Sequence, residues 1–131
     1  QNAVRGPIVM VTNQWAGSDG DIVAAATQAM GYAKVIGERS WGGVVGIDGR
    51  FDLVDGTSVT QPRYAGWYGS YGWGVENHGV DPDIVVTVSP EDWEADRDVQ
   101  LDAAIAECLR QLDDKPAATA PELPGPAFDR C

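Results

Sequence analysis

At 131 residues the chain has room for one domain, with a core burying roughly 65% of the unfolded chain's surface. Nine basic residues against twenty acidic ones give a net charge of −11, which argues against nucleic acid and anionic membrane surfaces as partners, because phosphate binding needs a basic patch. No apolar run approaches the ~20 residues of a membrane span, and one histidine with two cysteines leaves neither metal-ligand spacing nor a secreted disulfide framework.

Residues 7–12, rich in β-branched side chains, predict a buried strand. A loop over 13–17 leads into Gly17-Ser18-Asp19-Gly20-Asp21. A helix is predicted over 20–30, with Gly31 as the residue just past its end. Residues 34–37 read as a second strand, so the first third of the chain makes a βαβ unit. Residues 44–47, 50–54 and 58–61 read as short strands parted by Gly and Asp turns. Tyr64, Trp67, Tyr68, Tyr71 and Trp73 then form an aromatic cluster. It has only Arg63 for basic company and is read as packing a glycine-rich excursion onto the sheet, rather than stacking bases or sugar.

Residues 83–88 predict another strand, and Ser89-Pro90-Glu91-Asp92 a helix or turn start. Leu101, Ala104, Ile105, Cys108, Leu109 and Leu112 fall on one face of an amphipathic helix, predicted to be buried. From Lys115 the composition turns to Pro and Ala, which predicts a flexible tail over 115–131, ending in Cys131, behind a folded segment over 1–114. No leader is visible, and a chain opening on Gln1 without methionine is expected to be processed or a piece of something longer. The cysteine usage points to a reducing, cytoplasmic setting.

Ser18 has two readings. Ser18-x-x-Asp21 fits a capping box with Asp in place of Glu, in which the serine only caps a helix. A glycine-flanked serine between strand and helix is also where hydrolase folds hold a nucleophile, with N–H groups and the helix dipole aimed at developing negative charge. A nucleophilic serine needs a base. The one histidine, His78, would give a triad with Glu76 and Ser18, but Glu76 lies only two residues away, a poor position from which to orient the ring. Of the two lysines, Lys34 opens a strand far from Ser18 and Lys115 opens the tail, so neither makes a convincing base.

The 17–21 motif, followed by Val35-Ile36-Gly37-Glu38-Arg39-Ser40-Trp41-Gly42-Gly43-Val44-Val45-Gly46-Ile47 and then Val75-Glu76-Asn77-His78-Gly79-Val80-Asp81-Pro82-Asp83, resembles the C-terminal catalytic domain of tricorn-type serine peptidases over about residues 5–114. The helix opening Val99-Gln100-Leu101-Asp102-Ala103-Ala104 is also similar to that family's. The resemblance implies an α/β fold of Clp-protease/crotonase-like ββα architecture, with a mixed sheet and an amphipathic C-terminal helix. It implies that Ser18 is the nucleophile, that the Asp19 backbone N–H is an oxyanion-hole donor, and that Glu76 is the acid of the charge-relay set. The sister processing proteases carry a catalytic lysine where this chain has Gly43, which favours the tricorn branch. In that branch the histidine base lies upstream of the matching segment, and His78 is not at its position.

These expectations make the chain part of an active site: nucleophile, one oxyanion donor and acid, with the base contributed by an upstream part of the same polypeptide. The implied substrates are oligopeptides, cleaved through an acyl-enzyme with no cofactor and no metal, in a parent that forms hexamers in the family. Gly46 and Ile47, within the glycine-flanked 44–47 segment, are expected to pair with an extended peptide backbone or else to belong to an ordinary strand. The alternative is a non-catalytic ligand- or peptide-binding module of the same fold, as in retinoid-binding relatives. Crotonase-like acyl-CoA chemistry ranks last, because nothing supplies basic contacts for a CoA phosphate.

Overall fold

The computed structural model describes residues 4–122 and 125. Three short parallel strands carry the site. β1 (Val9–Thr12) lies beside β2 (Lys34–Gly37), and β2 beside β5 (Ile84–Val85), in the order β1-β2-β5. Val9 stands opposite Lys34 and Thr12 opposite Gly37, while Ile36 faces Ile84. Val35 and Ile36 point to opposite faces of the central strand, and both are fully buried. Burial on both faces is what a parallel strand demands, and it accounts for the unbroken apolar run.

α1 (Asp19–Met30) joins β1 to β2 and packs on both. Its inner face is small, with Ala24 and Ala25 fully buried, so helix and strands approach closely. Gly31 ends the helix at φ 65°, its N–H donating to Thr27 and Gln28 carbonyls. The core of Ala24, Ala25, Val44, Val75 and Val80 draws in Met10, Ile22, Tyr68 and Tyr71. It therefore ties α1 to two loop segments, 40–45 and 75–80, rather than to more sheet.

The antiparallel pairing stands apart. β3 (Gly46–Asp52) and β4 (Ser58–Tyr64) form a two-stranded hairpin of their own, with register irregularities after Gly46 and Asp48. The expected mixed sheet is thus divided into a parallel sheet and a separate antiparallel pair. The strands predicted over 44–47 and 50–54 merge into β3, and Val44 and Val45 stay outside it because their N–H groups are taken by Glu76. β5 covers two of the six residues predicted. Val86 N–H still reaches the Gly37 carbonyl, but the Gln100 side chain occupies the Val86 carbonyl at 2.9 Å.

α2 (Pro90–Glu94) is one short turn closed by a capping box between Ser89 and Asp92. α3 (Val99–Asp114) is capped by Asp98 and packs on β1 and β2. Its apolar stripe is real, but only Ala104 is buried; Leu101, Ile105 and Leu109 remain 50%, 50% and 58% exposed, and Cys108 is half-buried. After α3 the chain has no regular structure over 116–122, and Ala118 N–H donates to the Arg5 carbonyl. Most of the predicted tail beyond 122, Cys131 included, lies outside the described residues. No helix among the described residues is long and apolar enough to cross a membrane.

Candidate active site

Ser18 sits at the strand–turn–helix junction at φ 54°, ψ −111°. Gly20 N–H donates to the Gly17 carbonyl at 2.9 Å, which closes a four-residue turn with Ser18 at its second position. That dihedral pair belongs to a turn in which glycine is the usual occupant. Ile22 N–H then donates to the Ser18 carbonyl at 3.0 Å, opening the helix. The result is an exposed serine presented on a tight, strained turn, the geometry of a nucleophile elbow.

The capping-box reading fails on these contacts. The Ser18 side chain makes no cap hydrogen bond. Its backbone N–H donates to the Gly43 carbonyl at 3.1 Å, and the Asp21 carboxylate is turned elsewhere. The Asp19 backbone N–H has no partner among the described residues and lies in the first turn of α1. Gly17 and Gly43 flank the serine, and a Cβ on either would collide with the Trp41 ring. Trp41 therefore lies across both glycines beside Ser18, and it is 67% exposed.

One four-residue strap joins the two ends of the site. Gly42 and Gly43 donate their N–H groups to Asp21 Oδ1 and Oδ2 at 2.8 and 3.2 Å. Val44 and Val45 donate theirs to Glu76 Oε2 at 2.7 and 2.6 Å. Four successive amides are thus held by two carboxylates. Ser18 and Glu76, 58 residues apart in sequence, become neighbours of the same strap. Asn77 N–H donates to the Gly42 carbonyl at 2.7 Å, and Ser40 and Val80 exchange two further hydrogen bonds. Gly42, at φ 86°, lies so close to the backbone of 78–79 that no side chain fits.

Glu76 is half-buried, with Oε2 anchored and Oε1 without a hydrogen-bond partner among the described residues. It borders a cavity of about 350 Å³ shared with Val45, Ala65, Gly66, Trp73 and Asn77. A larger crevice of about 700 Å³ lies at the carboxyl ends of the parallel strands, among Asn13, Trp15, Glu38, Ser89, Trp93 and Gln100. Ligands of parallel sheets bind at such strand ends. Gln14 and Glu38 connect it to a third hollow, of about 530 Å³, walled by Trp41.

The internal triad does not form. His78 Nε2 pairs with Asp81 Oδ2 at 2.9 Å, and Arg39 Nε donates to Asp81 Oδ1 at 2.6 Å. The hydrogen bond from His78, and then that from Arg39, holds the Asp81 carboxyl below the usual carboxylate range. Lys34 faces Asp83 at 3.8 Å, at the end of β2 away from Ser18. Gly46 opens β3 opposite Tyr64, and the exposed Ile47 stands opposite Pro62, directly after the strap. Of the aromatic cluster, Tyr68 and Tyr71 pack on the core as expected, whereas Tyr64, Trp67 and Trp73 are exposed.

The strap was the part sequence reasoning missed. Asp21 reads as a first-turn acid, and no spacing marks its reach to residues 42 and 43.

The model of peptidase family S41 matches residues 1–86. The chain belongs to peptidase family S41. Within the family its similarity is to the tricorn type. Tricorn protease homolog 1 of Streptomyces coelicolor is 60% identical over 124 residues, covering 95% of this chain and 12% of that protein. The tricorn protease of Thermoplasma acidophilum is 48% identical over 111 residues, covering 85% of this chain and 10% of that protein. The crystal structure of the tricorn protease matches with a TM-score of 0.80 at 47% identity, over 83% of this chain and 11% of the other. Mature CPAF, at a TM-score of 0.67 and 20% identity over 86% of this chain and 22% of its own, shares the fold. This S41 segment spans from 10% to 12% of the length of the two tricorn relatives named.

Proposed function

We propose that the chain is the C-terminal catalytic part of a tricorn-type serine peptidase, spanning 1–114 and followed by a tail over 115–131, that hydrolyses oligopeptides through an acyl-enzyme. The observation that carries this reading is the strained elbow: an exposed Ser18 with an uncommitted hydroxyl, followed by an unpartnered Asp19 N–H at a helix start. Ser18 Oγ attacks the scissile carbonyl carbon and gives its proton to a histidine base from an upstream part of the polypeptide. The carbonyl oxygen, now negative, accepts a hydrogen bond from the Asp19 N–H. Collapse breaks the C–N bond, the base returns the proton to the leaving amine, and water hydrolyses the Ser18 ester by the same route. Glu76 orients and stabilises the protonated base through Oε1, with Oε2 pinned by the strap. The peptide lies extended along Gly46 and Ile47, whose strand β3 has an unpaired outer edge among the described residues. The parent is read as a cytoplasmic homo-hexamer.

The test is covalent labelling of the full-length protein with a fluorophosphonate. Label is expected at Ser18, absent in Ser18→Ala and retained in His78→Ala, with the isolated 131-residue segment unreactive. Equal labelling of the isolated segment, abolished by His78→Ala, would restore the internal triad. A non-catalytic binding module is the second reading, supported by the exposed Trp67 and Trp73; a full-length protein that takes no label at all decides for it.

A further inference from the structure

We propose that Asp21 is a positioning residue for the nucleophile, acting through the 42–43 peptide units; this rests on the reading of Ser18 as nucleophile. The Asp21 carboxylate is fully buried, and a buried charge is tolerable only when its oxygens are hydrogen-bonded. Both oxygens are spent on the same strap, one on Gly42 N–H and one on Gly43 N–H. Gly43 returns a single contact to α1, its carbonyl accepting the Ser18 N–H at 3.1 Å. The path from carboxylate to nucleophile is therefore Asp21, Gly43, Ser18, closed into a ring by the first turn of the helix.

The ring matters because Ser18 is strained. A non-glycine residue in such a conformation is strained and persists only where its surroundings hold it. Release of the strap frees the Ser18 amide to turn toward an ordinary helix-cap conformation. That swings Oγ and the Asp19 N–H together, since both hang on the peptide unit between residues 18 and 19. Elsewhere the strap is held by the Asn77 N–H on the Gly42 carbonyl, by Glu76 on the amides of Val44 and Val45, and by shape, with Gly42 against the backbone of 78–79 and Gly43 against the Trp41 ring. Asp21 supplies the only polar hold on its two amides among the described residues. Asparagine offers one acceptor and turns an NH₂ toward the other amide, and glutamate is a methylene longer in a fully buried site.

The experiment uses the full-length protein, with fluorophosphonate labelling and steady-state cleavage of a short peptide. Asp21→Asn is expected to lower both the labelling rate and kcat by about 10- to 100-fold, with KM changed by less than about 3-fold, the pattern of a misplaced nucleophile rather than lost binding. Thr27→Val is the control: it lies on the same helix, is as deeply buried, and its hydroxyl bonds Tyr32 rather than the strap. It is expected to lower Tm and leave labelling unchanged. An Asp21→Asn protein that labels at the unsubstituted rate overturns the inference, as does a Thr27→Val protein slowed equally, which would mark the effect as generic helix destabilisation. Label persisting in Ser18→Ala would instead remove the reading on which the inference stands. If Asp21→Asn does not fold, amide exchange in the unsubstituted protein decides. Gly42 and Gly43 amides exchanging as slowly as those of Val35 and Ile36 support the clamp, and exchange at the rate of an open loop overturns it.

Discussion

Ser18 holds a backbone conformation that glycine would adopt without cost, and so the proposed role as nucleophile sets activity against stability at this position. Ser18→Gly is expected to stabilise the protein by about 1 kcal/mol while abolishing fluorophosphonate labelling. Ser18→Ala, which keeps the strain, should abolish labelling with little change in Tm. Chemical denaturation of the two variants side by side checks this, and a Ser18→Gly protein no more stable than Ser18→Ala would show that the turn is not strained. The residue scale was also the most legible in sequence. The glycines around Ser18 announce a sharp turn, and the three ordered motifs point to Ser18 and Glu76. The capping box was wrong because an acid three residues into a helix can turn inward or outward, and only the packing of residues 42 and 43 supplies the donors that draw Asp21 inward.

At the scale of elements, the strands and helices with strong local patterns appear where their residues predict them, and the irregular ones do not. β2 and α1 follow from unbroken apolar runs and a glycine stop. β3 and β5 departed from expectation because side chains compete for their backbone groups: Glu76 takes the amides before β3, and Gln100 takes a carbonyl after β5. Such competition is long-range and leaves no trace in local spacing. α3 carries its own electrostatic support. Hydrogen bonds from Arg110, and then from Gln111, hold the Glu107 carboxyl down to about 2, and Arg110 also reaches Asp114 at 2.8 Å. A folded-state value below the ordinary 4.5 means the stabilisation is complete above that pH and is lost as pH falls toward 2. The Tm is accordingly expected to drop across this window. Glu107→Gln should flatten the drop without removing it, because hydrogen bonds hold Asp55, Asp81 and Asp92 low as well. An identical pH profile in Glu107→Gln would show that the pair contributes nothing.

Across the whole molecule the core is small and the uncovered apolar surface large. Leu101, Ile105 and Leu109 line the outer face of α3, and Trp15, Trp41 and Trp93 stand open around the crevices at the strand ends. Leu101, Ile105 and Leu109, one helical turn apart, make an exposed apolar stripe of the kind that other protein usually covers. The tricorn relatives are many times longer than this chain, so ample protein exists in them to cover such faces. The isolated segment is therefore expected to self-associate and to bind a hydrophobic dye strongly, whereas the same residues within the full-length protein should not bind it. Sedimentation and dye fluorescence of the two samples decide, and a monodisperse, dye-silent segment would count against the view that these faces are covered in the parent.

By itself the sequence determined the α/β class, the order of the βαβ unit, the family resemblance and the candidates Ser18, Asp19 and Glu76. All of these rest on local pattern: apolar periodicity, glycine punctuation and short motifs. The tertiary structure alone decided that Ser18 does not cap its helix, that His78 pairs with Asp81, and that Asp21 and Glu76 share the amides of residues 42–45. The physical reason is the choice of hydrogen-bond partner. A polar group must find a partner, but which partner it finds depends on what folding brings within about 3 Å; His78 meets its acid three positions on, whereas the residues that meet at the strap lie from 21 to 32 positions apart along the chain.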